Sequence, residues 1–233
     1  VGNILAMQHR GSDPVNPGWT RTYAYSEASL IEPARRSNRL TSATVGAVTE
    51  TYSAGGDGYD AHGNMLRLPQ LQAMQWDFQD QLRMTRRQAV NADDADGAQH
   101  AGERTWYVYD AVGQRARKVT ERQNGTRRAE RIYLGGFEIF RKHGGPIGAN
   151  TATLERETLH VMDDKQRIAL VETRTLDTAG TDQAPRQLIR YQFGNQLGSA
   201  SLELDDQAQI ISYEEYAPYG SSTYQAVRSQ TET

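Results

Sequence analysis

The sequence has no cysteine among its 233 residues, which excludes disulfide bonds and thiolate metal sites. It also lacks an apolar run near the ~20 residues that a bilayer-spanning helix needs. No signal peptide is recognisable at its start. These absences leave the compartment open, because a secreted protein without disulfides and a cytosolic protein both fit them.

A strong charge of either sign is missing as well. The formal net charge is −3 and the isoelectric point is about 6.0, so nothing general favours nucleic acid or an anionic membrane. Hydrophobic residues make up 37% of the chain and the mean hydropathy is −0.75. That is polar for a deep core, yet too rich in Tyr, Leu, Ile and Val for disorder. β-Sheets wetted on at least one face fit this composition.

What the sequence does contain is a dispersed motif, Tyr-Asp-x-x-Gly-(Asn/Gln)-x-x-(Arg/Lys). Its clear copies are residues 59–67 (YDAHGNMLR) and 109–117 (YDAVGQRAR). The Tyr suits a strand end, the Asp carboxylate can bond the backbone N–H two residues on, and the Gly supplies a positive φ. Each copy therefore predicts a hairpin. The residues predicted to shape these turns are Tyr59, Asp60, Gly63, Asn64, Tyr109, Asp110 and Gly113.

Decayed copies extend the series. Residues 76–83 (WDFQDQLR) place Asp80 where the Gly stood, and aspartate tolerates the left-handed conformation better than most residues. Residues 204–211 (LDDQAQII) place Ala208 there, and residues 161–168 (VMDDKQRI) keep only the outline. Further turn residues predicted from these copies and from the C-terminal glycine turns are Trp76, Asp77, Asp163, Gly198, Asp205, Tyr216, Pro218 and Gly220.

The chain opens on half a copy, since Gly2-Asn3-Ile4-Leu5 parallels residues 63–66. A Tyr-Asp pair is therefore expected before the first residue. Together with the missing initiator Met, this predicts a piece of a longer chain.

The remaining segments predict short strands in series. The residue pattern favours strands at 19–25, 48–53, 64–68, 76–88, 154–162, 167–176, 187–193, 199–204 and 210–216, and hairpins at 104–120 and 131–142. Residues 11–18 are expected to be irregular because of two prolines and two glycines, and residues 29–36 suit a short helical turn. We expect one β-sheet segment over 1–225, with polar loops at about 91–103, 144–153 and 177–185, and a polar tail at 226–233.

These motifs resemble the RHS/YD-repeat family, and in particular the repeat region that precedes the RHS core of bacterial insecticidal-toxin C components and related polymorphic toxins. The segments that carry the resemblance cover most of residues 1–225, and their ordered set is more specific than any single copy. They are residues 59–65 (YDAHGNM), 74–77 (MQWD), 107–110 (YVYD), 130–138 (ERIYLGGFE), 159–164 (LHVMDD), 197–203 (LGSASLE) and 211–220 (ISYEEYAPYG).

The resemblance implies an all-β fold, an antiparallel β-hairpin (YD-repeat) ribbon that forms a curved segment of an RHS-type shell. It further implies a non-catalytic structural role in encapsulating a C-terminal toxin polypeptide before delivery. The expected partners are the remainder of the shell, the enclosed toxin and a toxin-complex B-type component, and the expected location is secreted or bacterial cell-surface. No cofactor is expected.

Two alternatives stay open. The chain could be a cell-surface adhesion or glycan-binding module, because animal members of the family use the same repeat in adhesion and fold alone does not fix function. It could also be part of an autoproteolytic RHS enzyme whose active core lies beyond Thr233, since no residue here matches that core. Aromatic packing between hairpins accounts for the Tyr-Asp pairs more simply than glycan binding does.

Other motifs favour ordinary surface chemistry. Asp94, Asp96, Gly97 and Glu103 approach the spacing of a calcium loop, but Ala92 occupies its first position and cannot ligate through its side chain. Residues 56–61 imitate a dinucleotide fingerprint without the strand-to-helix context that it requires.

The titratable and nucleophilic residues give no catalytic motif either. The five histidines, His9, His62, His100, His143 and His160, show no metal or triad spacing, and no Gly-x-Ser-x-Gly elbow is present. The basic stretch lacks interleaved aromatics and suits a solvated strand face. Its members are Arg115, Arg117, Lys118, Arg122, Arg127, Arg128 and Arg131. The sequence therefore predicts no catalytic, cofactor or metal residue.

Overall fold

The structure, a computed structural model, describes residues 2–53, 56–87, 102–122, 124–144, 151–164, 166–195, 197–217, 220 and 222–228. In this part of the chain the regular structure is sixteen β-strands and no helix, and the paired strands are antiparallel. The predicted fold class, an all-β antiparallel hairpin ribbon, is confirmed. No helix among the described residues is long and apolar enough to cross a membrane.

The strands follow one another along the chain, and the longest connections lie between β2 and β3, β4 and β5, and β6 and β7. They are β1 Ala6–Asp13, β2 Asn16–Ala24, β3 Ser42–Val45, β4 Val48–Thr51, β5 Leu71–Trp76, β6 Leu82–Arg87, β7 Arg104–Tyr109, β8 Arg115–Glu121, β9 Arg127–Tyr133, β10 Phe137–His143, β11 Ala152–Asp163, β12 Gln166–Asp177, β13 Gln187–Gly194, β14 Ala200–Leu204, β15 Ile210–Tyr216 and β16 Ser222–Val227.

The chain divides into two compact units, Val1–Val90 and Asn91–Thr233. The first contains a four-stranded antiparallel sheet in the order β1-β2-β3-β4 and the β5–β6 hairpin. The second contains β7 to β16, in which each strand pairs with the next in sequence. The second unit is thus a continuous meander, which the alternating pattern of residues 104–216 predicted. Its last strand, β16, lies where the sequence predicted no strand.

Residues 11–18 depart from the prediction of an irregular connection. Strands β1 and β2 run through most of this segment and leave only Pro14 and Val15 as a tight turn. Pro17 is tolerated within β2 because the β1–β2 register shifts between Arg10 and Asp13, where a ladder N–H is dispensable.

Residues 29–36 form no helix, although the Arg35 N–H donates to the Glu32 carbonyl at 2.8 Å across a turn. They make an irregular loop in which the Ser29 N–H donates to the Arg35 carbonyl at 2.8 Å, and a bridge pairs Ala28 with Arg36. The Ser29 hydroxyl accepts the N–H of Ile31 and of Glu32, so it competes with helical bonding.

The predicted strand at 64–68 is also wrong. Isolated bridges join Tyr59 to Met65 and Leu68 to Leu71. Leu66 instead donates to the Gly58 carbonyl and accepts from the Met74 N–H, which satisfies its backbone without a ladder.

Few apolar side chains are fully enclosed. Among the described residues, the buried hydrophobic ones are Tyr52, Tyr59, Met74 and Met84 in the first unit, and Ala169, Ala184, Leu188 and Ile211 in the second. With so small a core, the hairpin turns and cross-strand side-chain pairs carry much of the fold's specificity.

Candidate functional site

The Asp60 turn shows the chemistry of the repeated motif. Asp60 Oδ1 accepts the N–H of His62 at 3.0 Å and of Asn64 at 2.8 Å. The Asp60 N–H donates to the Asn64 carbonyl at 2.9 Å, and the Gly63 N–H donates to the Asp60 carbonyl at 3.1 Å. Partial burial raises the pKa of Asp60, but the hydrogen bonds from Asn64, His62 and Gly63 outweigh it and hold that pKa below its ordinary value.

Four further turns repeat this bonding. In each, one side-chain oxygen accepts the backbone N–H groups two and four residues later, at 2.8 to 3.1 Å. The anchoring residue's own N–H donates to the carbonyl four residues later. The five turn anchors are Asp60, Asp77, Asp110, Asn195 and Asp205.

The residue three positions after each anchor has a positive φ. Gly63, Gly113 and Gly198 take values of 92°, 82° and 79°. Asp80 and Ala208 fill the same position at 58° and 60°. The decayed copies therefore keep the backbone of the clear ones, although a residue with a Cβ pays for it in free energy.

Sequence reasoning missed Asn195. Its carboxamide oxygen accepts the N–H of Leu197 at 2.9 Å and of Ser199 at 3.1 Å, as the aspartates do. The available signal was its spacing, since Asn195 precedes Gly198 as Asp60 precedes Gly63. Asparagine is the isosteric substitute for aspartate in such turns.

Asp163 stands in a turn of another kind, and the turn at Gly220 has Ala217, which has no side-chain oxygen, at the anchor's position. Asp163 ends β11 and pairs directly with Gln166, so a two-residue connection replaces the five-residue turn; Asp164 within it has a φ of 49°. Gly220 has a φ of 82°, and its N–H donates to the Ala217 carbonyl at 2.8 Å. Pro218 lies outside the described residues.

Two aromatic members of the motif, Tyr59 and Trp76, connect their turns to other segments, whereas Tyr216 bonds within its own strand. Tyr59 is only 7% exposed, and its hydroxyl donates to the Leu40 carbonyl at 2.8 Å. Trp76 Nε1 donates to the Met65 carbonyl at 2.8 Å, and the Tyr216 hydroxyl donates to Glu214 at 2.8 Å.

Tyr109 lies beside Arg115 across its hairpin. Burial lowers the pKa of Arg115, yet hydrogen bonds with Tyr109 and Tyr133 raise it overall. The Arg115 guanidinium also stacks 4.6 Å from the centroid of the Tyr107 ring. Three strands therefore meet at one arginine, which is a packing arrangement.

Two turns of the first unit are joined by hydrogen bonds from His62 and Asn64 to Asp80, a contact that we call the clasp. His62 Nδ1 lies 2.7 Å from Asp80 Oδ1, and Asn64 Nδ2 donates to the same oxygen at 2.8 Å. Asn64 Nδ2 also lies 3.0 Å from Asp60 Oδ2. The hydrogen bond to Asp80 raises the pKa of His62, and the reverse effect lowers the pKa of Asp80. The turns that Asp60 and Asp77 anchor are thus joined through Asp80.

One face of the second unit carries a chain of ion pairs across β11 to β14. We call it the polar face. Arg156 Nη1 lies 2.6 Å from Glu172 Oε1, and Arg190 lies 3.7 Å from Glu172 and 3.5 Å from Glu203. Asp182, from the loop after β12, pairs with Arg156 and closes over the sheet. Burial opposes ionisation of Asp182, but its hydrogen bonds with Arg156 keep its pKa low.

A cavity of about 650 Å³ opens on this polar face, lined by Arg131, Glu138, Arg156, His160 and Asp182 among others. His160 Nε2 lies 3.1 Å from Glu138, and its Nδ1 lies 3.2 Å from Arg167. Charged groups therefore face both ring nitrogens, an arrangement unlike that of a base beside a nucleophile.

The basic stretch is largely neutralised. Arg117 Nε donates to Glu130 at 2.6 Å, and Glu130 is 4% exposed. Arg128 pairs with Glu103 and Arg131 with Glu138. These pairs favour the structural interpretation of the stretch over a nucleic-acid surface.

The structure gives no support to the candidate calcium and dinucleotide motifs. Asp94, Asp96 and Gly97 lie outside the described residues, and Glu103 is held by Arg128. Among the described residues, no group of three or more His, Asp or Glu side chains is arranged to hold a metal. Gly58 lies in close backbone contact, since a Cβ there would come within 2.5 Å of the Ser53 nitrogen.

The chain has relatives among bacterial toxins. No protein-family model matches it. It is 27% identical over 234 residues to the toxin subunit YenC1 of Yersinia entomophaga, a match that covers 100% of this chain and 22% of that protein. It is 28% identical over 239 residues to YenC2 of the same organism, covering 94% and 23%. The chain therefore spans less than a quarter of the length of these relatives.

Solved structures agree with the sequence matches. The crystal structure of TcdB2-TccC3-TEV aligns with a TM-score of 0.71 at 26% identity, over 99% of this chain and 10% of that one. TcdB2-TccC3 without its hypervariable C-terminal region aligns with a TM-score of 0.61 at 23% identity, over 97% and 11%, which supports the fold alone. The resemblance to the RHS/YD-repeat toxin family that the motifs predicted is confirmed.

Proposed function

We propose that this chain, a homologue of the toxin subunits YenC1 and YenC2 with an RHS-type fold, is a structural segment in the wall of a toxin shell. In this proposal the assembled wall encloses a C-terminal toxin polypeptide before delivery. The observation that carries it is the repetition of one turn geometry along a strand meander whose whole length matches toxin subunits.

The repeated turns support a role in shape. A wall must hold its hairpins in fixed register, and four of the five turn anchors, Asp77, Asp110, Asn195 and Asp205, fix the ends of two consecutive strands through backbone bonds. Because these bonds use only a side-chain oxygen and a positive φ, they recur while the rest of the sequence varies.

We further propose that the segment is not itself catalytic. On the polar face, the arginines and carboxylates pair with one another across strands. A group paired in this way is held in place by its partner, which suits a rigid wall better than proton transfer. Any self-cleaving chemistry would then belong to another part of the longer protein.

The partners follow from the same proposal. The remainder of the shell and the enclosed polypeptide would contact this segment, and a toxin-complex B-type component would complete the container. Both solved relatives join TcdB2 with TccC3, and one of them is TcdB2-TccC3 without its hypervariable C-terminal region. We extend both features to the protein that contains this chain, together with secretion or display at the bacterial surface.

Limited proteolysis tests the proposal. The longest gene product that contains this chain would be expressed with an epitope tag at its C-terminus and, where assembly needs it, with its neighbouring shell component. We expect the tagged polypeptide to survive a protease concentration that digests it after mild denaturation. Digestion of the tag in the native assembly, at the rate seen after denaturation, would contradict enclosure.

A second assay addresses the non-catalytic role. The 233-residue chain would be incubated alone and with protein, glycan and nucleotide substrates, and we expect neither self-cleavage nor turnover. Turnover lost on changing a single residue of the polar-face cavity, such as His160→Gln, would contradict the structural assignment.

A further inference from the structure

His143, the last residue of β10, is enclosed although it ends a strand. Only 4% of the residue is exposed. The β10–β11 register shifts at this point, where His143 pairs with Ala152. Its backbone carbonyl accepts a hydrogen bond from Arg122 Nη2 at 3.0 Å. Because histidine changes its charge near neutral pH, enclosing it makes the surrounding contacts sensitive to pH.

The buried ring also lacks a hydrogen-bond partner at Nδ1 within the described part of the chain. In the charged imidazolium both ring nitrogens carry a hydrogen, so Nδ1 of His143 would become a buried donor that needs an acceptor. A buried donor without an acceptor destabilises the folded state. The residues that follow in the chain, 144–151 (GGPIGANT), include no acidic side chain that could serve as a counterion.

The charges that act on the ring are mainly positive. Burial lowers the pKa of His143 from its ordinary 6.5. The guanidinium groups of Arg127, Arg141 and Arg122 lower that pKa further, whereas the Glu130 carboxylate acts in the opposite direction. These groups come from β9, from β10 itself and from the β8–β9 connection, residues 122–126. The surroundings therefore favour the neutral form of the ring.

Glu130, the carboxylate that favours a charged ring, is already surrounded by arginines. It is 4% exposed, and its Oε1 accepts Arg117 Nε at 2.6 Å. Its Oε2 lies 3.4 Å from Arg127 Nη1 and 3.8 Å from Arg141 Nη1. A protonated His143 would therefore compete with three guanidinium groups for one carboxylate.

The acidic side chains on the neighbouring strands are engaged as well. On β11, Glu155 Oε2 accepts Arg141 Nε at 2.6 Å. On β8, Glu121 Oε2 accepts the indole N–H of Trp106 at 2.8 Å. Lys142, one residue earlier in the chain, adds another positive charge. A proton added to the imidazole would therefore increase the repulsion among the positive charges of this region.

Arg122 ties together the strand ends beside the ring. Its Nη1 donates at 2.9 Å to the carbonyl of Arg127, at the start of β9, and its Nη2 donates to the His143 carbonyl, at the end of β10. Backbone bonds of 2.9 Å close the same connection, from the Arg122 N–H to the Thr126 carbonyl and from the Gly125 N–H to the Arg122 carbonyl. The guanidinium thus binds the backbone of the histidine whose charged ring it would repel.

We propose that Arg122, Arg127 and His143 form an acid-sensitive latch. When the His143 ring takes up a proton, the added charge repels the Arg122 guanidinium, which releases the two carbonyls that it holds. The β8–β9 connection then separates from the end of β10, while the rest of the meander keeps its pairing. The latch goes beyond the proposed shell role and does not rest on it, because its contacts lie within this chain.

The direction of the pH response follows from the lowered pKa of His143. In the unfolded chain this ring titrates near its ordinary 6.5, above the folded value. The contribution of the latch to stability is therefore complete above pH 6.5 and is lost as the pH falls through the folded pKa. One proton linked to opening changes the opening constant by at most about tenfold per pH unit.

Amide hydrogen exchange of the 233-residue chain between about pH 7.5 and about pH 5 tests the latch, with each rate corrected for the intrinsic pH dependence of exchange. The reporters are the N–H groups of Arg122 and Gly125. The Asp110 turn is a matched comparison, because Asp110 and Gly113 make the same two backbone bonds in the same unit. We expect the opening constant at the reporters to rise about threefold to tenfold per pH unit as the ring titrates, and that at the Asp110 turn to stay constant.

Two variants separate His143 from other titrating groups. His143→Gln removes the titrating ring and keeps a polar side chain, so we expect it to abolish the acid response at Arg122 and Gly125. His9→Gln, at an exposed histidine of the first unit, is the matched control and should leave the response unchanged. Circular dichroism and the urea midpoint of each variant show whether the fold persists.

Should His143→Gln unfold, an NMR titration of the parent chain carries the test. The His143 ring should titrate below pH 6.5, with the same midpoint as the change in exchange at Arg122 and Gly125. Three results would overturn the proposal: reporter opening constants that do not change with pH, an acid response that persists in His143→Gln, or a His143 ring that titrates at or above pH 6.5. None of these bears on protease protection of the longer protein at neutral pH, so the latch and the proposed function fail separately.

Discussion

The clear and the decayed turns differ in sequence and agree in structure. At Asp110 the turn has glycine at its positive-φ position, with Gly113 at 82°. At Asp205 the same position holds Ala208 at 60°. Both anchors nevertheless accept the N–H groups two and four residues later, at 2.9 and 2.8 Å. The anchor's side-chain oxygen is thus common to both, while the glycine is replaceable at a cost in free energy.

The comparison explains how the motif can decay without loss of the fold. A carboxylate or carboxamide that satisfies two backbone donors organises the turn locally, whichever residues flank it. Asp80 adds a second lesson, because its own carboxylate, placed by a φ of 58°, binds His62 and Asn64. Asp80 thus makes a contact between turns that a glycine at this position could not make.

The largest effect should come from forcing a β-branched residue into the clear turn. We expect Gly113→Val to lower the free energy of unfolding by about 2–3 kcal/mol, since a β-branched side chain is strongly disfavoured at positive φ. Urea denaturation followed by circular dichroism measures it. A loss as small as that of Gly113→Ala would mean that the turn relaxes to another φ.

Removing the anchor should come next. Asp110→Ala leaves the N–H groups of Val112 and Gln114 without their acceptor, and we expect a loss of about 1–2 kcal/mol. Asp110→Asn is the matched control and should stay within about 0.5 kcal/mol, because Asn195 already makes the same bonds. Equal losses in the two variants would show that charge, and not hydrogen bonding, matters there.

The decayed turn at Asp205 should respond in the opposite direction. Ala208→Gly should stabilise the chain by about 0.5–1 kcal/mol, because relief at positive φ exceeds the added flexibility of glycine in the unfolded state. Asp80→Gly should give no such gain, since it also deletes the bonds to His62 and Asn64. A gain in both variants would show that the bonds from His62 and Asn64 to Asp80 do not stabilise the fold.

The smallest effect is the pH response of the clasp. The pKa of His62 is raised from 6.5, so its contribution is complete below 6.5 and is lost as the pH rises through the higher folded value. The pKa of Asp80 is lowered from 3.8, so its contribution is lost only as the pH falls through a value below that. The clasp should therefore be complete between about pH 4 and 6.5. An NMR titration of His62 checks this, and Asp80→Asn should return the His62 pKa toward 6.5.

Much of this fold depends on local turn chemistry, which is why the sequence could predict the positions of the turns. Asp80 and Ala208 were expected at the glycine position, and their positive φ values agree. Pro17 misled because its effect depends on a register shift between strands, which the sequence does not display. Asn195 was overlooked because asparagine does not match the Asp of the motif. Its carboxamide oxygen nevertheless accepts the same two hydrogen bonds as a carboxylate.

The two faces of the second unit could be identified only from the structure. Alternation along one strand indicates that its two sides differ, but only the register shows that Gln192 meets Glu203 and that Phe193 meets Leu202. Each register depends on bulges, such as that between Phe193 and Gly194, whose positions are set by neighbouring strands. The two faces therefore become visible only when the pairing between consecutive strands is known.

Amide hydrogen exchange at the turns tests the central claim most directly. The N–H groups four residues after each anchor, in Asn64, Gln81, Gln114, Ser199 and Gln209, all donate to a side-chain oxygen at 2.8 to 3.1 Å. If one repeated turn builds the wall, Gln81 and Gln209 should be protected as strongly as Gln114. Rapid exchange at Gln81 and Gln209 beside slow exchange at Gln114 would show that the decayed copies no longer hold their hairpins, and would contradict the account.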